Sequence, residues 1–216
     1  MKPSSSVFSF IVSLLAAVPA GAFTIAMSNV PGSGSYDKAK MLSTTEWEAI
    51  GLTTDASSQD FTSLVGVFAG GTTGGTLEGG IYSDNGFNAP GLELASFNDV
   101  PVNPFLMPQV TITTHSAFQL QASTKYWLVL HDSTPFAWMA DNTTSGTTPG
   151  VAPGYMYDGF DTSSNAGGTW STDDINYTVQ ISTTPVAVVP EPSTLVLAAA
   201  GVVGIAIVAR RRRSGR

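Results

Sequence analysis

The segment KYWLVLHD, Lys125 to Asp132, is apolar on both sides of an extended chain. Tyr126, Leu128 and Leu130 fall on one face, and Trp127 and Val129 on the other. A run this short, rich in aromatic and branched side chains, predicts a central strand covered on both faces. Its neighbours alternate instead. In SAFQLQAS, Phe118 and Leu120 oppose Gln119 and Gln121; in INYTVQIST, Tyr177, Val179 and Ile181 oppose Thr178, Gln180 and Ser182. Period-two alternation predicts strands with one wet face.

Working outward, FTSLVGVFAG (Phe61 to Gly70), GGIYSD (Gly79 to Asp84) and EWEAIGLTT (Glu46 to Thr54) read as further strands. In the last of these Trp47 and Ala49 are expected on the inner face. Turns are expected at Asn85-Gly86 and Pro90-Gly91, where glycine accepts positive φ. Long loops are expected over Asp141 to Gly154 and Asp161 to Asp174, and at most a turn of helix around DKAK. With abundant Gly, Ser and Thr and few charges, the pattern predicts an all-β, antiparallel β-sandwich, jelly-roll-like, over residues 23–185.

The flanks read differently. Residues 1–22 have the order of a signal peptide: Lys2, the apolar run Val7 to Val18, and small residues at Ala20 to Ala22. That run is too short to span a bilayer, which takes about 20 residues. Residues 186–193 form a proline-punctuated linker, and residues 194–216 an apolar helix with a basic end. The run from Leu195 to Ala209 gives a helix of about 22 Å against a hydrocarbon core of about 30 Å. Arg210, Arg211, Arg212 and Arg213 would keep that end cytoplasmic, with the body outside.

Charge narrows the partners. The body holds three lysines, Lys38, Lys40 and Lys125, against fifteen acids, a net charge of −12 where the whole chain carries −7. Such a surface repels phosphate backbones, so nucleic acid is not an expected partner. There is no cysteine, so neither disulfides nor thiolate metal sites contribute.

Little catalytic chemistry is legible, and no enzyme is expected. His131, Asp132 and Ser133 are consecutive, but on a strand Asp132 points away from the other two, which breaks a triad. Glu46 and Glu48 share a strand face about 7 Å apart, a spacing within reach of glycosidase chemistry; nothing nearby desolvates either, so a solvated pair is expected. Asp158 and Asp161, and Asp173 with Asp174, offer oxygen ligands of the kind calcium takes, without EF-hand spacing. Trp138, Tyr155, Tyr157 and Trp170 lie in or near the expected loops as candidate ligand-binding aromatics, either capping the core or stacking on sugar rings.

The C-terminal stretch VPEPSTLVLAAAGVVGIAIVARRRRS resembles the PEP-CTERM sorting signal of exported bacterial proteins. It has a Pro-Glu-Pro motif, a short apolar helix and an arginine-rich end, in that order. The resemblance implies Pro190, Glu191 and Pro192 as recognition residues and exosortase, a membrane-embedded processing enzyme, as partner. It implies export, a transient inner-membrane anchor, and a destination in the outer envelope, cell surface or extracellular matrix, near extracellular polysaccharide. Proline on both sides keeps Glu191 in an extended peptide, as a processing enzyme requires. The stretches WEAIGLTT, GGIYSDNGFNAPGLELASF and FQLQASTKYWLVLHDSTPFAWMAD resemble the choice-of-anchor R domain, an exported bacterial module, over about Trp47 to Asp141.

Overall fold

In the computed structural model the described residues are 22–30, 36–69, 75–102, 107–141 and 146–186. The signal-peptide segment and the sorting segment, with its expected helix, lie outside them. The body forms a unit over Gly21–Val186. Its strands are β1 (Thr24–Ser28), β2 (Tyr36–Leu42), β3 (Trp47–Thr53), β4 (Gln59–Ala69), β5 (Gly75–Asp84), β6 (Pro90–Ser96), β7 (Val100–Val102) and β8 (Gln109–Ile112). They continue with β9 (Gln119–Leu120), β10 (Lys125–Asp132), β11 (Phe136–Asp141), β12 (Gly150–Val151), β13 (Met156–Ser163), β14 (Ser171–Asp173) and β15 (Gln180–Pro185). Among the described residues there is no helix, so none is long and apolar enough to cross a membrane.

The strands make two antiparallel sheets. Sheet 1 runs β12-β1-β15-β4-β11-β2, with β8 and β9 also on β4; sheet 2 runs β14-β13-β3-β10-β5-β6, with β7 also on β5. The chain passes from one sheet to the other repeatedly, for example from β2 to β3 to β4 to β5. One core joins them, with Leu42, Leu64, Phe68 and Trp138 from sheet 1 and Ile50, Leu52, Ile81 and Leu128 from sheet 2. Trp138 crosses the core to meet Phe160 edge-on at 5.4 Å.

β10 sits inside sheet 2, as its sequence predicts. It pairs with β3 from Lys125↔Thr53 to Leu130↔Glu48, and with β5 from Tyr126↔Ser83 to Asp132↔Leu77. Tyr126, Leu128 and Leu130 enter the core, while Trp127 and Val129 are buried on the outer face with Ala49. Each such side chain contributes about 1.5–3 kcal/mol on burial.

The segment that leads into β15 is dry on two sides. Tyr177, Val179 and Ile181 are in the core as expected, but Thr178 and Ser182 opposite them are buried too. The cause for Thr178 is a junction in sheet 1. β15 pairs with β4 as far as Val65, and β11 takes over at Phe68. Between them Val67 N donates to Thr178 Oγ1 at 3.0 Å, and Thr178 N and Oγ1 donate to Met139 O at 2.8 and 2.9 Å. Thr178 therefore completes the backbone pairing that the switch of strands leaves open.

Other expectations are corrected. Trp47 and Ala49 lie on the outer face of β3, and Glu48, Ile50 and Leu52 point inward. DKAK belongs to β2, which pairs with β11. Pro90-Gly91 opens β6, with Pro90 opposite Asp84, since proline is tolerated at the first residue of an edge strand. The expected loop from Asp141 contains β12, and that from Asp161 is largely the β13–β14 hairpin. Asn85-Gly86 does form the turn before β6, with Gly86 at φ 84°.

Candidate functional site

The outer face of sheet 2 carries the densest set of polar and aromatic groups. Gly51 opens space on β3 for the indole of Trp127: a Cβ there would stand 2.8 Å from Asp158 Cβ and 3.1 Å from the indole. Trp127 Nε1 donates to Asp84 Oδ1 at 2.9 Å, and Lys125 Nζ lies 5.1 Å over its ring. Lys125 also meets Asp158 Oδ1 at 3.2 Å and donates to Asn88 Oδ1, while Thr53 Oγ1 donates to Asp158 Oδ2 at 2.7 Å.

Further along the face Trp47 stacks on His131, with centroids 4.2 Å apart and planes at 15°. Partly exposed Tyr82 and Trp170 complete the aromatic cover over Trp127 and Val129. Burial holds His131 below the usual imidazole range, against the pull of Glu78 and Glu93. Burial, with Glu93 beside it, pushes the Tyr82 phenol up to about 12. A groove of about 370 Å³ adjoins this face along β6, lined by Glu93, Leu94, Ser96, His115, Ser116 and Phe118. The face offers partly exposed aromatic rings beside hydrogen-bonding groups.

The four aromatics singled out in the sequence do not form one platform. Trp138 is 0% exposed, ringed by Phe68, Phe160 and Tyr177, with Nε1 donating to Thr178 O at 2.8 Å. Tyr155 is also buried, its hydroxyl 3.0 Å from Thr183 Oγ1. Tyr157 is half-buried against Phe160 and donates to Asn176 Oδ1; burial raises its phenol pKa. Only Trp170 belongs to the surface set. Trp138 looked loop-bound because a Gly/Thr/Pro-rich stretch follows it, yet β11 runs through the core. Trp47, Tyr82 and His131 were missed as members of a surface set. The signal available was their outward parity beside Trp127 and Val129.

His131 and Asp132 project to opposite sides of β10. Asp132 is buried and caps the turn that follows, accepting from Thr134 N at 2.7 Å, Thr76 N at 3.1 Å and Ser133 Oγ at 3.3 Å. No triad assembles there. The acids considered for calcium are dispersed: Asp158 is held by Lys125 and Thr53, Asp161 is buried, and Asp173 accepts from Ile175 N at 2.9 Å and Tyr177 Oη at 3.0 Å. Among the described residues no group of three or more His, Asp or Glu converges as metal ligands do.

Glu46 and Glu48 are not a solvated pair. Glu46 precedes β3, whereas Glu48 points between the sheets and is 0% exposed. Lys40 Nζ approaches it from sheet 1 at 4.0 Å, and neither Glu48 oxygen makes a hydrogen bond of good geometry. Burial, and then the neighbouring Asp173, push the Glu48 carboxyl up to about 9, with Lys40 acting against them. The desolvation comes from the facing sheet, which no local sequence window contains.

The chain matches the PEP-CTERM protein-sorting motif over residues 188–213. The match takes in Pro190, Glu191, Pro192 and Arg210 to Arg213, all outside the described residues. It marks an exported, membrane-processed protein sorted by exosortase. The body lies outside the matched residues, and no curated protein matches the chain.

Proposed function

We propose that the chain is a non-enzymatic protein of the cell surface or extracellular matrix, released to the outer envelope after exosortase acts on its tail. The observation that carries this reading is the sorting motif at residues 188–213. The N-terminal signal peptide, the short apolar helix and the four arginines belong to the same reading. So does the body as a jelly-roll-like module of the choice-of-anchor R type, a structural or adhesive unit in an exopolysaccharide or biofilm setting. Support comes from a chain path that alternates between two sheets.

The test is replacement of Pro190, Glu191 and Pro192 by alanine. The variant should stay membrane-retained at full precursor length, while the parent chain is found trimmed in the outer fractions. Identical fractionation and intact mass for the two would sink the proposal.

A second reading, a carbohydrate-binding module, is favoured by the partly exposed Trp47, Tyr82 and Trp170 packed on Trp127 and Val129 on the outer face of sheet 2. Trp47→Ala and Trp170→Ala should then weaken retention on a polysaccharide column. Trp138→Ala would be uninformative, because it damages the core instead.

A further inference from the structure

The pair formed by Lys40 and Glu48 needs an explanation. A buried carboxyl without hydrogen bonds is costly, and a buried ion pair is favourable only when its remaining lone pairs are satisfied. Here neither Glu48 oxygen makes a hydrogen bond of good geometry, Asp173 and Thr162 being its polar neighbours, and the side chain is 0% exposed. The one cation facing it, Lys40, stands 4.0 Å away with 27% of its side chain exposed. The lysine is a neighbour of Trp138 in the β2–β11 register, so its stem lies on the core face. The body has no cysteine with which to staple itself.

The geometry points to an intramolecular amide between Lys40 Nζ and Glu48 Cδ, joining β2 of sheet 1 to β3 of sheet 2. The chemistry balances without an outside reagent. The Asp173 carboxylate, a neighbour of Glu48 held by Tyr177 and the Ile175 amide, takes a proton from the Lys40 ammonium relayed through the Glu48 carboxyl that Lys40 faces. The free amine lone pair attacks Cδ of the neutral Glu48 carboxyl, forming the C–N bond. The tetrahedral intermediate then loses its hydroxyl, which leaves as water with the proton held on Asp173, and the surplus nitrogen proton passes to Asp173, which ends as the neutral acid. One C–O bond breaks, one water is released and nothing is oxidised. The product puts a neutral amide where a lysine ammonium faced a buried carboxyl. Asp173 is a positioning and proton-transfer group here, and the dry enclosure does the rest by disfavouring ionised Glu48.

Denaturing tryptic digestion of the full chain, followed by tandem mass spectrometry, tests this. With the amide formed, trypsin cannot cut after Lys40. A peptide running Ala39 to Lys125 should appear, lighter than its sequence by one water, about 18 Da, with fragments linking Lys40 to Glu48. Lys40 should also resist reductive methylation under denaturing conditions, where Lys38 and Lys125 react. In Glu48→Ala, cleavage after Lys40 should return, and Asp173→Ala should leave the bond unformed. A wild-type Lys40 that is cleaved and methylated overturns the proposal, whether or not the variants fold. So does a water loss that maps to other residues, such as a succinimide at Asp158-Gly159.

Discussion

On the outer face of sheet 2, Lys125 has three partners at once: the Asp158 carboxylate, the Asn88 side chain and the Trp127 ring. On the inner face of the same sheet, Glu48 has one distant lysine and no hydrogen bond of good geometry. The two faces bury tryptophan equally, since Trp127 outside and Trp138 inside are both 0% exposed. What differs is the lid. The inner face is closed by another sheet, which brings its own side chains and excludes water. The outer face is closed only by side chains, whose charged ends stay at the water's edge while their stems cover the indole. Lys125 is therefore well partnered where the lid is thin, while Glu48 lacks donors where the lid is a sheet.

That contrast can be broken in order of effect. Where Glu48 keeps a free carboxyl, as in Lys40→Arg, its folded pKa of about 9 exceeds the ordinary carboxyl value of 4.5. The folded state then holds the extra proton between those limits. Its stability contribution is complete below about pH 4.5 and is lost as pH rises toward 9, with a slope approaching one proton. Urea midpoints measured across that range check this, and Glu48→Gln should flatten the curve.

Next in size, Trp127→Ala and Trp138→Ala should each cost about 3–5 kcal/mol in equilibrium unfolding. If Trp127→Ala cost under about 1 kcal/mol, in the range of ordinary surface changes, the outer cluster would not be a second core. Gly51→Ala should cost about 1–3 kcal/mol by overpacking, because its Cβ would press on Asp158 and Trp127. Smallest is Lys125→Met. It should cost at most about 1 kcal/mol, and the cost should shrink with added salt.

The same contrast explains what the sequence could and could not say. KYWLVLHD was readable because its five apolar residues need cover on both sides whatever surrounds them. WEAIGLT misled because it alternates a tryptophan with a glutamate. Alternation shows that two faces differ, and it does not show which one meets the partner sheet when both are covered. The carboxyl of Glu48 is inside because a distant strand, β2, supplies Lys40 across the core. Thr178 and Ser182 failed in the same way, as polar side chains on a face that another part of the fold keeps dry. Trp138 was assigned by the composition of the chain after it, while its position is set by pairing with Lys40 and Phe68. By contrast the sorting motif was readable in full, since a processing enzyme recognises a linear peptide and linear order is what a sequence contains.

The sheet ends have a consequence for how copies of this chain coexist. β12 and β14, two and three residues long, end their sheets with almost nothing to template on. β2, seven residues long, carries Lys38 and Lys40 turned to the core side. β6 starts with Pro90 and is interrupted by two register shifts against β5, at which Leu94 and Leu92 are exposed. Short length, lysine, proline and bulges are four separate ways of refusing a neighbour's backbone. Molecules crowded side by side would keep their sheets finite, so a dense layer of this protein would remain a population of discrete bodies instead of growing into a fibre.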